Sequence, residues 1–319
     1  INFLLFFMCL IVLSLNPKSD YKLVLTSNRD EFYERPTESM HWWDSSPRVL
    51  AGKDKNFDGT WMALSEKGKF AAVTNVREFT SLSTQKKSLE NLASRGDLVK
   101  DFVLSNYSAS EYLNEIDCLN YQGFNLILFD GTDGLICSNR GFEKKLNEGE
   151  TYAIGNKPIE NKSEKILSAE EDFVKILSSE ISRKSLFEMM QAPVNKPLEF
   201  SEAFTKENHG REFPYRFIAT DIYGTRSTTS IIIDKNNEAE IEHKRDQTDN
   251  QNDLLNEEIA GLLFESLMKI CCARHADVAI KSIGRFTQAH ACDNHWNAHN
   301  CTDDRQTCQC AHHDREQSN

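Results

Sequence analysis

The sequence predicts an α+β protein of layered sheets, and three observations predict it. Short apolar runs bounded by turn residues open and close the body of the chain. Between them lie segments whose apolar residues recur at three- and four-residue steps, the period of an amphipathic helix. The resulting order is strands, helices, strands, helices, strands, which sheets flanked by helices accommodate.

Each element has its own signal. Residues 10–15 and 22–26 are apolar strands around Asn16-Pro17-Lys18-Ser19-Asp20, residue types that favour a turn. Asn28-Arg29-Asp30-Glu31 then reads as a polar turn leaving the second strand. Residues 60–65 and 70–75 form a hairpin across a segment containing Gly68. Residues 92–103 are helical, with Leu92, Leu98, Val99, Phe102 and Val103 on one side, and residues 113–119 extend that layer. Strands return at 125–130 and 134–138, joined by Gly131-Thr132-Asp133. Residues 163–177 and 184–191 have helical spacing. Residues 217–220, 227–234 and 239–243 make a final antiparallel set, with a turn at Asp234-Lys235-Asn236-Asn237, and 261–270 is a closing helix.

Charge and cysteine usage bound the function. Asp and Glu number 49 against 37 Lys and Arg, a net charge of -12, and that excess repels nucleic-acid phosphates. No aromatic residues alternate with basic clusters to stack single-stranded bases. The body, residues 9–270, is long enough for one domain with a substantial core. It holds Cys9, Cys118 and Cys137, too few and too scattered for a disulfide framework, which fits a reducing, cytoplasmic setting. No repeat, phosphate loop or membrane-length helix is apparent.

The two ends read differently. Residues 1–8 are a leader or a misassigned start; the apolar stretch from Ile1 to Leu15 also fits the core of a signal peptide, but it lacks a basic flank. Residues 271–319 carry six of the nine cysteines, an atypical Cys- and His-rich composition expected to be disordered. Within them, Cys292-x-x-His295-x-x-x-His299-x-Cys301 has donors that suit zinc but matches no standard finger spacing, so no metal site is assigned.

The chemistry centres on Cys9. A hairpin brings its outer ends together, so Cys9 and Arg29 are expected as neighbours. A thiol beside a guanidinium and a carboxylate is expected to favour the thiolate. Met8 stands directly before Cys9. Its removal would leave a terminal Cys whose own α-amine can accept the thiol proton, the logic of N-terminal nucleophile (Ntn) hydrolases. The plainer alternative is an inert Cys buried on a strand.

Met8-Cys9, Asn28-Arg29-Asp30-Glu31-Phe32, Arg35-Pro36, Gly59-Thr60-Trp61, Thr74-Asn75, Arg95-Gly96-Asp97-Leu98-Val99, Gly123-Phe124-Asn125-Leu126, Asn139-Arg140-Gly141, Gly155-Asn156 and Gly224-Thr225-Arg226-Ser227-Thr228 occur in that order. Together they resemble the NRDE-domain family, also called the transport and Golgi organisation 2 family. The resemblance implies an Ntn-hydrolase-like four-layer αββα sandwich. It also implies links to Golgi organisation and protein secretion, to haem mobilisation, and to lipid or acyl-CoA metabolism, with Golgi or mitochondrial association.

Candidate roles follow. Arg29 is expected to hold a carboxylate, a phosphate or a developing oxyanion, and Asp30 to orient the Cys9 amine. Both resemble residues that serve the nucleophile in choloylglycine-type hydrolases, as Arg226 resembles their late arginine. Asn75 and Asn156, at strand ends, are candidate oxyanion donors, and turn formation is their plainer role. Asn28 and Glu31 join the candidate ligand-binding cluster. His41, in His41-Trp42-Trp43, is a candidate haem ligand, against an aromatic anchor covering a sheet edge. No cofactor is required on this reading. Two classes of function stay open: a carrier of a small ligand, haem or acyl-CoA-like, with peripheral membrane association; and a cysteine amidohydrolase or acyltransferase.

Overall fold

The structure is a computed structural model that describes residues 9–76, 92–191 and 215–245. The predicted leader, the closing helix at 261–270 and the Cys/His-rich segment 271–319 lie outside the described residues.

Twelve strands are named, β1 (Leu10–Leu15), β2 (Tyr21–Phe32), β3 (Thr37–Trp43), β4 (Val49–Asp54), β5 (Met62–Ser65), β6 (Phe70–Asn75), β7 (Phe124–Phe129), β8 (Gly134–Ser138), β9 (Phe142–Lys145), β10 (Thr151–Ile154), β11 (Tyr223–Asp234) and β12 (Ala239–Arg245). They form a five-stranded antiparallel sheet, β10-β1-β2-β11-β12, and a seven-stranded one, β3 to β9 in sequence order. The helices are α1 (Arg95–Leu104), α2 (Ala109–Glu115), α3 (Glu164–Ser178) and α4 (Arg183–Glu188).

Why β1 shows no polar alternation is visible in where its residues go. Ile11, Leu13 and Leu15 join Leu23, Leu25, Phe70, Ile127 and Ile231 in a core between the two sheets. Leu10 and Val12, on the other face, meet Ile166, Phe173 and Leu177 of α3 and Leu186 of α4. A strand buried on both faces must be apolar throughout. The seven-stranded sheet likewise covers its outer face, Ala63, Ala71 and Leu126 among others, with Leu98, Val99, Phe102 and Val103 of α1 and Tyr112 of α2. The layer order is helix, sheet, sheet, helix: the α+β, four-layer αββα sandwich that the family resemblance implies.

Ser94 and Ser108 cap α1 and α2, the latter in a reciprocal capping box with Glu111. Several boundaries differ from expectation. Asn28-Arg29-Asp30-Glu31 is not a turn but the second half of β2, paired with β11 from Phe32↔Tyr223 through Asn28↔Thr228. Cross-strand pairing overrides the polar composition there, because a central strand position satisfies the backbone whatever the side chain. The strands β3, β4 and β9 carried no clear sequence signal; residues 217–220 contribute only an isolated bridge, Ala219↔Gly224.

Phe173 is fully buried between α3 and the five-stranded sheet, whereas Val174 beside it is 47 % exposed. Phe173→Ala should cost about 3–5 kcal/mol by leaving a cavity, and Val174→Ser should stay within about 0.5 kcal/mol. Equilibrium urea unfolding measures both; equal effects at the two positions would contradict the layer assignment.

Candidate functional site

The site forms where β2 outruns β1. Leu10 pairs with Asn28, so beyond Asn28 one edge of β2 has no partner in β1, while the other edge remains paired to β11. Cys9, directly before β1, lies against that open edge, and the Asp30 backbone N–H donates to its sulfur. A cavity of about 250 Å³ opens here, lined by Cys9, Arg29, Asp30, Glu31, Arg35, Asp54, Phe57, Thr60, Trp61, Asn75 and Arg95 among others.

Arg29 is 6 % exposed, and its guanidinium stacks 4.3 Å from the Trp61 ring centroid, a cation–π contact. Gly52 seats that ring: a Cβ there would fall 2.2 Å from it. Arg29 Nη2 is 3.8 Å from Glu31 Oε2, but Nη1 has no hydrogen-bond partner. Glu31 accepts from the Phe32 N–H at 2.9 Å and lies 3.5 Å from Arg35. Burial pushes the Glu31 carboxyl up, against the pull of both arginines. Arg35 is committed to Asp54, at 2.7 and 2.8 Å.

Asp30 looks to the opposite face of β2. Its Oδ1 accepts from Thr225 Oγ1 at 2.6 Å, and Lys165 Nζ of α3 stands 3.9 Å from Oδ2. Burial lifts its carboxyl to about 6 despite Lys165. The expected thiolate at Cys9 is corrected by the same physics. Burial, and secondarily the Asp30 carboxylate, push the Cys9 thiol up to about 12, outweighing Arg29 and the Asp30 N–H.

The remaining candidates separate. Asn28 turns away from the cavity: its amide donates to Met190 O and Arg216 O at 2.9 and 2.8 Å and accepts from Thr228 at 2.7 Å, tying β2 to the segments beside α4. Asn75 lines the cavity. Asn156 donates to the Asn75 carbonyl at 2.8 Å, bracing that strand end instead of facing the cavity. Arg226 is the extra residue of a β-bulge, since Thr225 faces Asp30 and Ser227 faces Arg29. Its Nη1 donates to the carbonyls of Phe32 and Arg35 at 2.7 and 3.1 Å. His41 stands apart: it is exposed on β3, an edge strand, 2.8 Å from Ser39 O and 3.6 Å from Glu38, and it is no part of the cavity lining. Beside it Trp42 packs on the core, as an aromatic anchor does.

Sequence reasoning assigned no role to Trp61, Lys165 or Arg95. Trp61 and Arg95 stood inside motifs that carried the family resemblance. Lys165, a buried lysine on a helix facing an acidic strand, had no spacing signal at all. Among the described residues no cluster of three or more His, Cys, Asp or Glu side chains is placed to hold a metal, and no helix is long and apolar enough to cross a membrane.

Comparison with known proteins is consistent in family. A model described as transport and Golgi organisation 2 matches residues 8–247. The chain is 31 % identical over 253 residues to the transport and Golgi organization protein 2 homolog of Bos taurus, covering 71 % of this chain and 89 % of that protein. It is 29 % identical over 257 residues to the Homo sapiens homolog, at 71 % and 89 % coverage. To transport and Golgi organization protein 2 of Drosophila melanogaster it is 27 % identical over 246 residues, covering 70 % and 86 %. A solved structure, a Caenorhabditis elegans N-acylethanolamine-hydrolyzing acid amidase ortholog, is similar at 9 % identity with a TM-score of 0.46, covering 70 % of this chain and 92 % of that one.

With its thiol held near 12, Cys9 in the full chain should alkylate slowly at pH 7.5. Its rate should keep rising about tenfold per pH unit up to about pH 11, since only the thiolate reacts. Peptide-resolved mass spectrometry after iodoacetamide pulses follows Cys9 separately from the other cysteines; a rate that levels off near pH 8 would show an activated thiol instead.

Proposed function

This chain belongs to the transport and Golgi organisation 2 family, and we propose that it acts there as a carrier whose cavity beside Cys9 takes the anionic end of a small ligand of haem or acyl-CoA type. The observation that carries this reading is Arg29: a buried cation, stacked on Trp61, with one guanidinium nitrogen lacking any hydrogen-bond partner. A buried donor left unmade costs free energy, and a carboxylate or phosphate oxygen that displaces the groups covering Nη1 would satisfy it. The volume of about 250 Å³ falls below the roughly 300–1,000 Å³ of pockets that engulf a drug-sized molecule. It suits a propionate, acyl or phosphate terminus, with the rest of the ligand outside.

Haem as an axially ligated group finds no support here. His41 is exposed on an edge strand, and the Cys9 thiol is protonated at neutral pH; haem recognition through its carboxylates does fit Arg29. The cellular role proposed is the one in the family's name, Golgi organisation, with a part in protein secretion. The setting proposed is cytoplasmic, with peripheral association to Golgi or mitochondrial membranes, and the partner is the small ligand, not nucleic acid.

A second reading has an observation of its own. Cys9 lines the same cavity, and the Asp30 N–H contact to its sulfur would favour an attacking thiolate. If Cys9 becomes the terminal residue, its amine supplies the base, and the chain acts as an Ntn amidohydrolase or acyltransferase on a small acyl amide or thioester.

The two readings part on two variants. Arg29→Lys should weaken binding of haem or acyl-CoA by a factor of about 30, about 2 kcal/mol, because lysine cannot copy the planar two-pronged donor; Tm should change little. Cys9→Ser should leave that binding intact. Titration calorimetry with both ligands, beside an assay of amide and thioester hydrolysis, decides between them. Turnover that disappears in Cys9→Ser establishes the enzyme, and unchanged binding in Arg29→Lys removes the cavity from the carrier reading.

A further inference from the structure

Resting on the reading that the cavity takes an anionic ligand, we infer that Arg95 at the start of α1 is a second receptor for the ligand's oxyanion, and that with Arg29 it selects carboxylate or phosphate compounds over neutral ones. Three observations converge on it. The first is charge. The carboxylates that face the cavity are already answered, Asp54 by Arg35 at 2.7 Å and Glu31 by Arg35 and Arg29 at 3.5 and 3.8 Å, while the Asp30 carboxylate turns to the other face of β2, toward Thr225 and Lys165. Arg95 lines the same cavity and donates only to a backbone carbonyl, Gly123 O at 3.1 Å, with no carboxylate in ion-pair reach among the described residues. Burial, and after it the neighbouring cation Arg35, lower Arg95 to about 10, which still leaves it charged at neutral pH.

The second observation is the helix end. Residues 92–94 and the first two residues of α1, Arg95 and Gly96, form one wall of the cavity. Their position brings the positive end of a ten-residue helix to the site. The acid of the first turn, Asp97, is held by Lys100 at 2.8 Å and is no part of the lining. Gly96 fixes the approach: a Cβ there would stand 2.9 Å from the Thr60 nitrogen, so only glycine lets α1 sit this close. The third observation is independent of the helix. Arg29, more than nine-tenths buried and part of the same lining, keeps Nη1 without a partner. Two guanidiniums with unspent capacity and a helix N-terminus around one small cavity match an oxyanion that offers several acceptor oxygens, as carboxylates and phosphates do.

Titration calorimetry on the full chain tests this with three probes: inorganic pyrophosphate, octanoate and its neutral analogue octanamide. Wild type should bind at least one anion, more weakly as salt is added, and should discriminate against octanamide. Binding of pyrophosphate alone identifies a phosphate ligand, and octanoate alone a carboxylate. Arg95→Gln should weaken the anion by about tenfold or more, the loss of a charge-assisted bond, with Tm and octanamide binding unchanged. Arg95→Lys, which keeps the charge, should fall between them and stands in if Arg95→Gln folds poorly. Anion binding unchanged in Arg95→Gln, or in Arg95→Lys where that variant stands in, with loss in Arg29→Lys, overturns the role of Arg95 and leaves the carrier reading standing. Equal affinity for octanoate and octanamide overturns the selection of anions. No binding of either anion to wild type sinks both.

Discussion

Four consecutive polar residues on a buried central strand impose the constraint from which the site follows. Asn28, Arg29, Asp30 and Glu31 are all nearly inaccessible on β2, where an unanswered charge or amide costs several kcal/mol. Alternation along the strand divides the problem between two faces. Asn28 and Asp30 look toward the helical layer, where Met190 O, Arg216 O and Thr228 answer the amide and Thr225 and Lys165 answer the carboxylate. Arg29 and Glu31 look toward the cavity, where Trp61, Arg35 and, through Arg35, Asp54 complete the network. The bulge at Arg226 belongs to the same solution, because it sends a guanidinium to the carbonyls of Phe32 and Arg35 just where β2 ends.

Burial of charge also ties the fold to pH. Asp30 sits near 6 in the folded chain against 3.8 for the free group. Its contribution to stability is therefore fullest below about 3.8 and is lost as pH rises through about 6. His243 has the opposite sign. Buried against Thr229 at 2.8 Å and lowered from 6.5 to about 4, it favours the folded state above 6.5 and loses that contribution as pH falls toward 4. The two act against each other over the same interval, so neither alone dictates an acid limit for the fold.

What was legible in the sequence was legible for physical reasons. Continuous apolar runs such as β1, and the helical spacing of Leu98, Val99, Phe102 and Val103, report burial directly, and the layers follow from them. The adjacency of Cys9 and Arg29 was readable from hairpin geometry. The end of β2 was not, because its pairing partner, β11, lies about 200 residues away and polar side chains at 28–31 look like a turn to any local rule. The strands β3 and β9 sit at sheet edges with mixed polar sequence, so periodicity does not mark them. Arg95 and Lys165 act through tertiary position: one reaches the cavity because two glycines let backbones touch, the other because α3, packed on β1 and β10, brings its first turn to Asp30.

The state of Cys9 separates what the cavity can do as it stands from what it would need. Nucleophilic attack needs a base for the thiol proton, and the Asp30 carboxylate is turned away: Oδ1 accepts from Thr225, and Oδ2, buried without a hydrogen bond, has Lys165 at 3.9 Å. Its charge, moreover, makes the thiolate harder to form. The base must then be the amine of Cys9 itself, which exists only if the peptide bond before it is cut. Anion binding has no such requirement. Arg29 is held by Trp61 on one side and Glu31 on another, and its Nη1 is buried without a hydrogen-bond partner. A preorganised donor contributes to affinity without paying to order itself. The carrier reading proposed above needs no such step, whereas catalysis is conditional on a single covalent event at Cys9.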